Sequence, residues 1–107
     1  TDCHIEFLSQ IGDYLNGRAS EPRVVSHTEC RIGKWLAAER AEREGLRRTA
    51  NLARLEKVHL EFHEACEEAL ALARNGQYSA AKVRLSEAYR LCGRMTRLLS
   101  KFNFTFC

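Results

Sequence analysis

Proline is nearly absent: Pro22 is the only one in 107 residues, so nothing in the later four-fifths of the chain forces a helix to break at a proline ring. No apolar run approaches the roughly 18 to 20 residues needed to cross a bilayer. The first residues carry neither a basic start nor the apolar core of a secretory signal, so a soluble chain with no membrane association is expected. Charge of one sign is also scarce. A net charge of +3 is too small to argue for a nucleic-acid partner, since dedicated binders are more strongly basic. The five cysteines, Cys3, Cys30, Cys66, Cys92 and Cys107, are odd in number and lack the regular spacing of a small secreted disulfide scaffold. A reducing, cytoplasmic setting is therefore expected. No internal repeat or low-complexity segment is present, and with 45% hydrophobic and 29% charged residues disorder is not expected. The length sets a single domain spanning 1–107.

What the chain does have is helical periodicity. His4, Leu8, Ile11 and Leu15 recur at helical spacing with Phe7 and Tyr14 beside them, predicting a first helix that Gly17 ends. The mixed, turn-rich stretch 17–28 reads as a loop that leads to Cys30. Cys30-Arg31-Ile32-Gly33-Lys34-Trp35 then opens a short helix. The charged run Glu39 to Arg48 mixes both signs around Gly45 and reads as a helix junction, not a binding tail.

Leu52, Leu55, His59, Phe62, Cys66, Ala69 and Ala73 alternate by three and four and predict a long helix, which Asn75-Gly76 terminates. Tyr78, Ala81, Leu85, Ala88, Cys92, Met95, Leu99 and Phe102 continue the same alternation in a last helix with a coiled-coil-like seam. Cys66 and Cys92 fall on these stripes and read as small buried hydrophobes. The tail from Asn103 to Cys107 carries two phenylalanines that either pack on the bundle or face a partner. Short connections between long amphipathic helices imply antiparallel neighbours. The expected fold is all-α, an antiparallel four-helix bundle with an additional short helix carrying Cys30.

His59 and His63 stand one helical turn apart, so both imidazoles project from one face and can reach a single metal ion. That face is the core stripe or its border, where a charged imidazole is costly and a neutral ligand is natural. His4 leads the inward stripe of its own helix, and Cys30 would bind as thiolate. Three imidazoles and a thiolate make a complete tetrahedral set for Zn²⁺. His27, three residues before Cys30, and Cys66, three after His63, are geometrically possible substitutes; Cys3 faces another direction.

Three other functions are weaker. A zinc protease needs Glu directly after the first His as general base, and Leu60 holds that position with Glu61 one place further. Four protein ligands also leave no position for a catalytic water, so an enzyme is not expected. Paired Glu-x-x-His elements of a di-iron bundle are absent. Lys82, Arg84, Arg90, Arg94, Arg97 and Lys101 make the last helix basic, but they spread around it without an aromatic platform and read as a solvated face.

His4 with Phe7 three residues on, the hexapeptide Cys30-x-x-Gly33-Lys34-Trp35, the pair His59 and His63, and Gly76-Gln77-Tyr78 with Ala81 beyond occur in this order across nearly the whole chain. In this the sequence resembles the chemoreceptor zinc-binding domain of bacterial cytoplasmic chemoreceptors and some diguanylate cyclases. The resemblance implies that His4, Cys30, His59 and His63 bind one zinc ion, which disfavours His27 and Cys66 as ligands. It also implies a cytoplasmic sensory domain of bacterial signal transduction that acts as a homodimer, a state the regular seam of the last helix suits as well.

Family members are known for zinc-inhibited control of a cyclase and for sensing hypochlorous acid through the ligand cysteine. The output would then lie in a fused domain or signalling partner outside these residues, because neither a receptor rod nor a cyclase fits in them. His4 lies nearer the start than is usual in the family, as in an excised or trimmed domain. The competing expectation is a purely structural zinc staple in a helical dimerisation module.

Overall fold

The computed structural model describes residues 3–23, 30–41 and 46–100. These form four helices and, among the described residues, no strand: α1 (Cys3–Leu15), α2 (Arg31–Ala41), α3 (Leu46–Arg74) and α4 (Tyr78–Leu99). At 29 residues α3 is about 44 Å long at the helical rise, close to the 47 Å long axis of the molecule. It meets all three other helices, most extensively α4; α1 packs on both α3 and α4, and α2 packs on α3. The short helix is thus the second of four, and Cys30 stands one residue ahead of it, not within it.

Because α3 has neighbours on several sides, its buried surface is wider than a single stripe. The seven stripe residues from Leu52 to Ala73 are all buried, and so are Val58, His63, Ala65 and Leu70 beside them. On α4 the buried residues are Ala81, Leu85, Ala88, Cys92, Met95 and Leu99, the expected series without its ends. Tyr78 is half exposed because it is the first residue of the helix, at the tip of the connection from α3, and Phe102 lies outside the described residues. On α1, His4, Leu8, Ile11 and Leu15 are buried. Ile32 and Leu36 seat α2, with Trp35 half-buried between them.

Two glycines end helices by the same device. Gly17 (φ 74°) follows α1 and Gly76 (φ 78°) follows α3, in a left-handed conformation that costs a side-chain-bearing residue about 1–2 kcal/mol. In each case the next residue's N–H reaches back five positions, Arg18 to the Asp13 carbonyl at 2.8 Å and Gln77 to the Leu72 carbonyl at 2.9 Å. The glycine N–H itself bonds three back, to Tyr14 and Ala73, completing the double-bonded C-terminal cap. The second cap turns the chain within three residues, which lets α4 lie along α3.

The segment after α1 is pinned to the far end of α3. Both carboxylate oxygens of Glu21 accept from Arg74, Nε to Oε1 and Nη2 to Oε2, each at 2.9 Å. The Arg74 guanidinium and the Tyr14 hydroxyl hold the Glu21 carboxyl below the ordinary carboxylate range, against a smaller opposing effect of desolvation. The junction around Gly45, His27 and the tail phenylalanines lie outside the described residues.

Candidate metal centre

Four side chains from three places in the chain converge beside α3. His4 comes from the first turn of α1, Cys30 from the residue preceding α2, and His59 and His63 from successive turns of α3. One ligand atom from each of the four, an imidazole nitrogen or the sulfur, lies within 4.8 Å of every other. The three histidines are buried at 6%, 2% and 5% exposure, and Cys30 is half-buried. This is the group of metal-ligating type that the described residues contain; Cys66 is buried in the core but is not part of it. His27 and the side chain of Cys3 are outside the described residues.

The helices dictate this meeting. On α3 the four-residue spacing stacks the two histidines on one face, with ring centroids 4.7 Å apart and planes 77° from parallel. The His4 ring faces both, 5.7 Å from each and nearly perpendicular to His63 at 89°. Phe62 supports this arrangement from within the core, edge-to-face with His4 at 5.0 Å and with His63 at 5.5 Å. Sequence reasoning placed Phe62 in the core stripe and missed this second contact set; its position next to His63 and three residues after His59 was the available signal.

Cys30 completes the group from the N-cap position of α2. Its carbonyl accepts the first helical bond, from Lys34 N–H at 3.0 Å, and its Sγ accepts from Gly33 N–H at 3.4 Å. The Cys-x-x-Gly spacing is therefore the spacing of an N-cap side chain to the third helical residue. The same sulfur is 3.0 Å from His59 Nε2 and 3.8 Å from His4 Nε2. Burial pushes the Cys30 thiol up, while the backbone N–H groups of Gly33 and Ile32 draw it down. A cation at the centre would add a much stronger downward pull on the thiol.

The donor set fits a tetrahedral metal. Metal–nitrogen bonds of about 2.0–2.1 Å and a metal–sulfur bond of about 2.3 Å imply ligand–ligand edges of about 3.3–3.6 Å. The two sulfur–nitrogen separations, 3.0 and 3.8 Å, bracket that edge. No pair is more than 4.8 Å apart, so none exceeds that edge by more than about 1 Å, within reach of small side-chain rotations. One thiolate and three neutral imidazoles would leave a doubly charged ion with a net +1, tolerable at a half-buried site.

The basic residues of α4 form no comparable centre. Arg84 is paired with Glu68 at 3.2 Å and with Glu87, while Lys82, Arg90, Arg94 and Arg97 are exposed. No helix is long and apolar enough to cross a membrane among the described residues.

The sequence profile of the chemoreceptor zinc-binding domain matches residues 4–70, a span that begins at His4 and takes in Cys30, His59 and His63. No curated protein and no solved structure matches the chain.

Proposed function

The chain belongs to the chemoreceptor zinc-binding domain family, and from that premise we propose that it is a zinc-binding sensory or regulatory domain of bacterial signal transduction. The observation that carries this is the convergence of His4, Cys30, His59 and His63 to within 4.8 Å of one another. The mixed imidazole and thiolate set favours Zn²⁺ over hard cations, which prefer oxygen ligands. When bound, zinc supplies a fixed positive charge and four directed bonds. With every position taken by protein the chain has no hydrolytic role and is not an enzyme.

What the chain's own residues do is couple the site to helix position. Cys30 is both a ligand and the cap of α2, so its hold on the histidines of α1 and α3 is also the hold on α2. An 11-residue helix is shorter than the roughly 12–15 residues that an isolated helix needs in water, so α2 relies on its anchorage. Ile32 and Leu36 provide part of that, each at about 1.5–3 kcal/mol for full burial. Losing the ligand contact at Cys30 tips the remainder toward release.

Two perturbations produce that loss. One is metal withdrawal. The other is oxidation of the Cys30 thiolate, in which hypochlorous acid transfers its oxygen to sulfur, giving a sulfenic acid and chloride; sulfur is oxidised by two electrons and chlorine reduced by two.

The rival reading is a structural staple, in which zinc merely holds a helical dimer together. Sensing is favoured because α3 and α4 share a core, with Leu70, Ala73, Ala81, Leu85 and Ala88 buried, that extends well away from the four ligands. The reading also includes antiparallel packing of the long helices, supported by the three-residue turn between them. A homodimer, a cytoplasmic setting and a fused or separate signalling partner complete it.

The test is metal content of protein purified without added metal, beside Cys30→Ala and His63→Ala, followed by chelation monitored by circular dichroism. We expect about one zinc per chain, sharply weakened in both variants, and reversible loss to chelator with most helix retained. Zinc unaffected by both changes overturns the site, and global unfolding on chelation favours the staple. Light scattering that shows a monomer at high concentration removes the homodimer.

A further inference from the structure

On α3 and α4 lies a recess of about 610 Å³ that the metal reading leaves unused. Arg54 and Lys57 from α3 and Arg94 and Arg97 from α4 line it, with Val58 and Leu98 as its apolar part. All four cations are exposed. Arg74 is paired with Glu21 and Arg84 with Glu68 and Glu87, and none of the four belongs to these pairs. The helical spacing explains the gathering: 54, 57 and 58 on one helix and 94, 97 and 98 on the other each fall on a single face.

The recess is polarised by more than a generally basic helix. A neighbouring, smaller recess of about 220 Å³ on the same two helices shares Glu61 and Arg94 with it. That second recess mixes signs evenly, with Glu61, Glu64 and Glu87 against Arg84, Arg90 and Arg94. Glu61 is thus the single acid of the larger recess, at its border with the mixed one. Like charges held around one cavity repel each other, and a ligand of opposite charge relieves that repulsion.

We infer that this recess is a binding site for a small organic anion carrying at least two phosphate groups and an apolar ring, a ligand of nucleotide class. Its volume falls inside the roughly 300–1,000 Å³ usual for small-molecule sites. Three arginines supply the planar forks that grip phosphate oxygens, Lys57 adds a point charge, and the half-buried Leu98 offers an apolar surface for a ring, with buried Val58 at the floor. None of the residues lining this recess is among the four of the metal centre, which come from α1, from the residue ahead of α2 and from other positions of α3.

The probe is adenosine 3′,5′-bisphosphate, titrated calorimetrically into the full chain at physiological ionic strength beside inorganic phosphate and a short polyglutamate peptide. The bisphosphate is expected to bind at least about tenfold more tightly than phosphate, because two anionic groups engage cations on both helices. Arg54→Ala combined with Arg94→Ala should weaken it by about tenfold or more, while Arg18→Ala, an exposed cation elsewhere, should leave it unchanged. Circular dichroism of the double variant checks that its helices persist, as expected for exposed positions.

Absence of binding at about 1 mM bisphosphate would overturn the inference. So would equal weakening by Arg18→Ala, or tighter binding of the peptide than of the bisphosphate, which would make the face a docking site for an acidic protein segment.

Discussion

Replacing Cys30 by serine and by alanine separates its two roles. As a ligand, the thiolate shares with three imidazoles a binding free energy of about 10–16 kcal/mol for small structural zinc sites, or about 2.5–4 kcal/mol per ligand. Either substitution should therefore cost about two to three decades in zinc affinity. As a cap, Sγ accepts the Gly33 N–H at 3.4 Å. A serine hydroxyl keeps an acceptor there, whereas alanine leaves that N–H unserved, at a cost of about 1 kcal/mol.

The two variants should thus lose zinc alike in competition with a chromogenic chelator. They should differ in metal-free stability by about 1 kcal/mol in urea unfolding, alanine being the weaker. If Cys30→Ser held zinc within about threefold of the unaltered protein, the sulfur would not be a ligand. Equal metal-free stabilities would instead remove the cap, and with it the link between the site and α2.

Other consequences follow from other parts of the fold. Glu21→Gln should lower the melting temperature slightly at neutral pH and not at all in strong acid. The Arg74 guanidinium depresses the Glu21 carboxyl in the folded state, so its stabilisation is present above the ordinary carboxylate range and is lost as pH falls through the lowered value. Both partners are substantially exposed, so the effect is small, and a deficit of the variant that persisted in acid would contradict the assignment. The Cys66 thiol is pushed up to about 12, first by burial and then by Cys92 and Glu67. Site-resolved mass spectrometry should accordingly find it unmodified by thiol reagents at mildly alkaline pH until the protein unfolds, and labelling as fast as at Cys30 in the metal-free protein would refute this. Gly76→Ala has no atom to strike within 4 Å, yet it should cost about 1 kcal/mol in urea unfolding because φ stays at 78°; no cost would mean that the turn is easily remade.

The helices and the pair His59 and His63 were legible in the sequence because both rest on local periodicity, whereas the preference for His4 and Cys30 over His27 and Cys66 came from the family resemblance. The three-and-four alternation of α3 and α4 is the geometry of a buried stripe, and the four-residue spacing of His59 and His63 is the geometry of one helix face. The position of α2 was less legible. Its beginning shows in the Cys-x-x-Gly spacing, but whether a short helix adds to four or counts among them depends on which neighbours it meets, and among the described helices only α3 is packed against it. The Glu21–Arg74 tie joins residues 53 apart and leaves no periodic trace. Nor does periodicity tell a core residue that merely fills space from one that aims its neighbours.

Phe62 is that case. It is fully buried in the stripe, yet its ring meets His4 at 5.0 Å and His63 at 5.5 Å, both edge-to-face. Phe62→Leu keeps an apolar side chain of similar reach and should cost only about 1–2 kcal/mol of metal-free stability. It removes the flat surface that holds two imidazoles at fixed angles, so the ligands must be ordered at the moment of binding. Zinc affinity should then fall by about 10–100-fold, the scale of losing an orienting contact behind a ligand. Chelator competition and urea unfolding on the same protein separate the two quantities. A variant destabilised by that amount but with unchanged zinc affinity would show that the α3 backbone alone aims His59 and His63, and that Phe62 is core and nothing more.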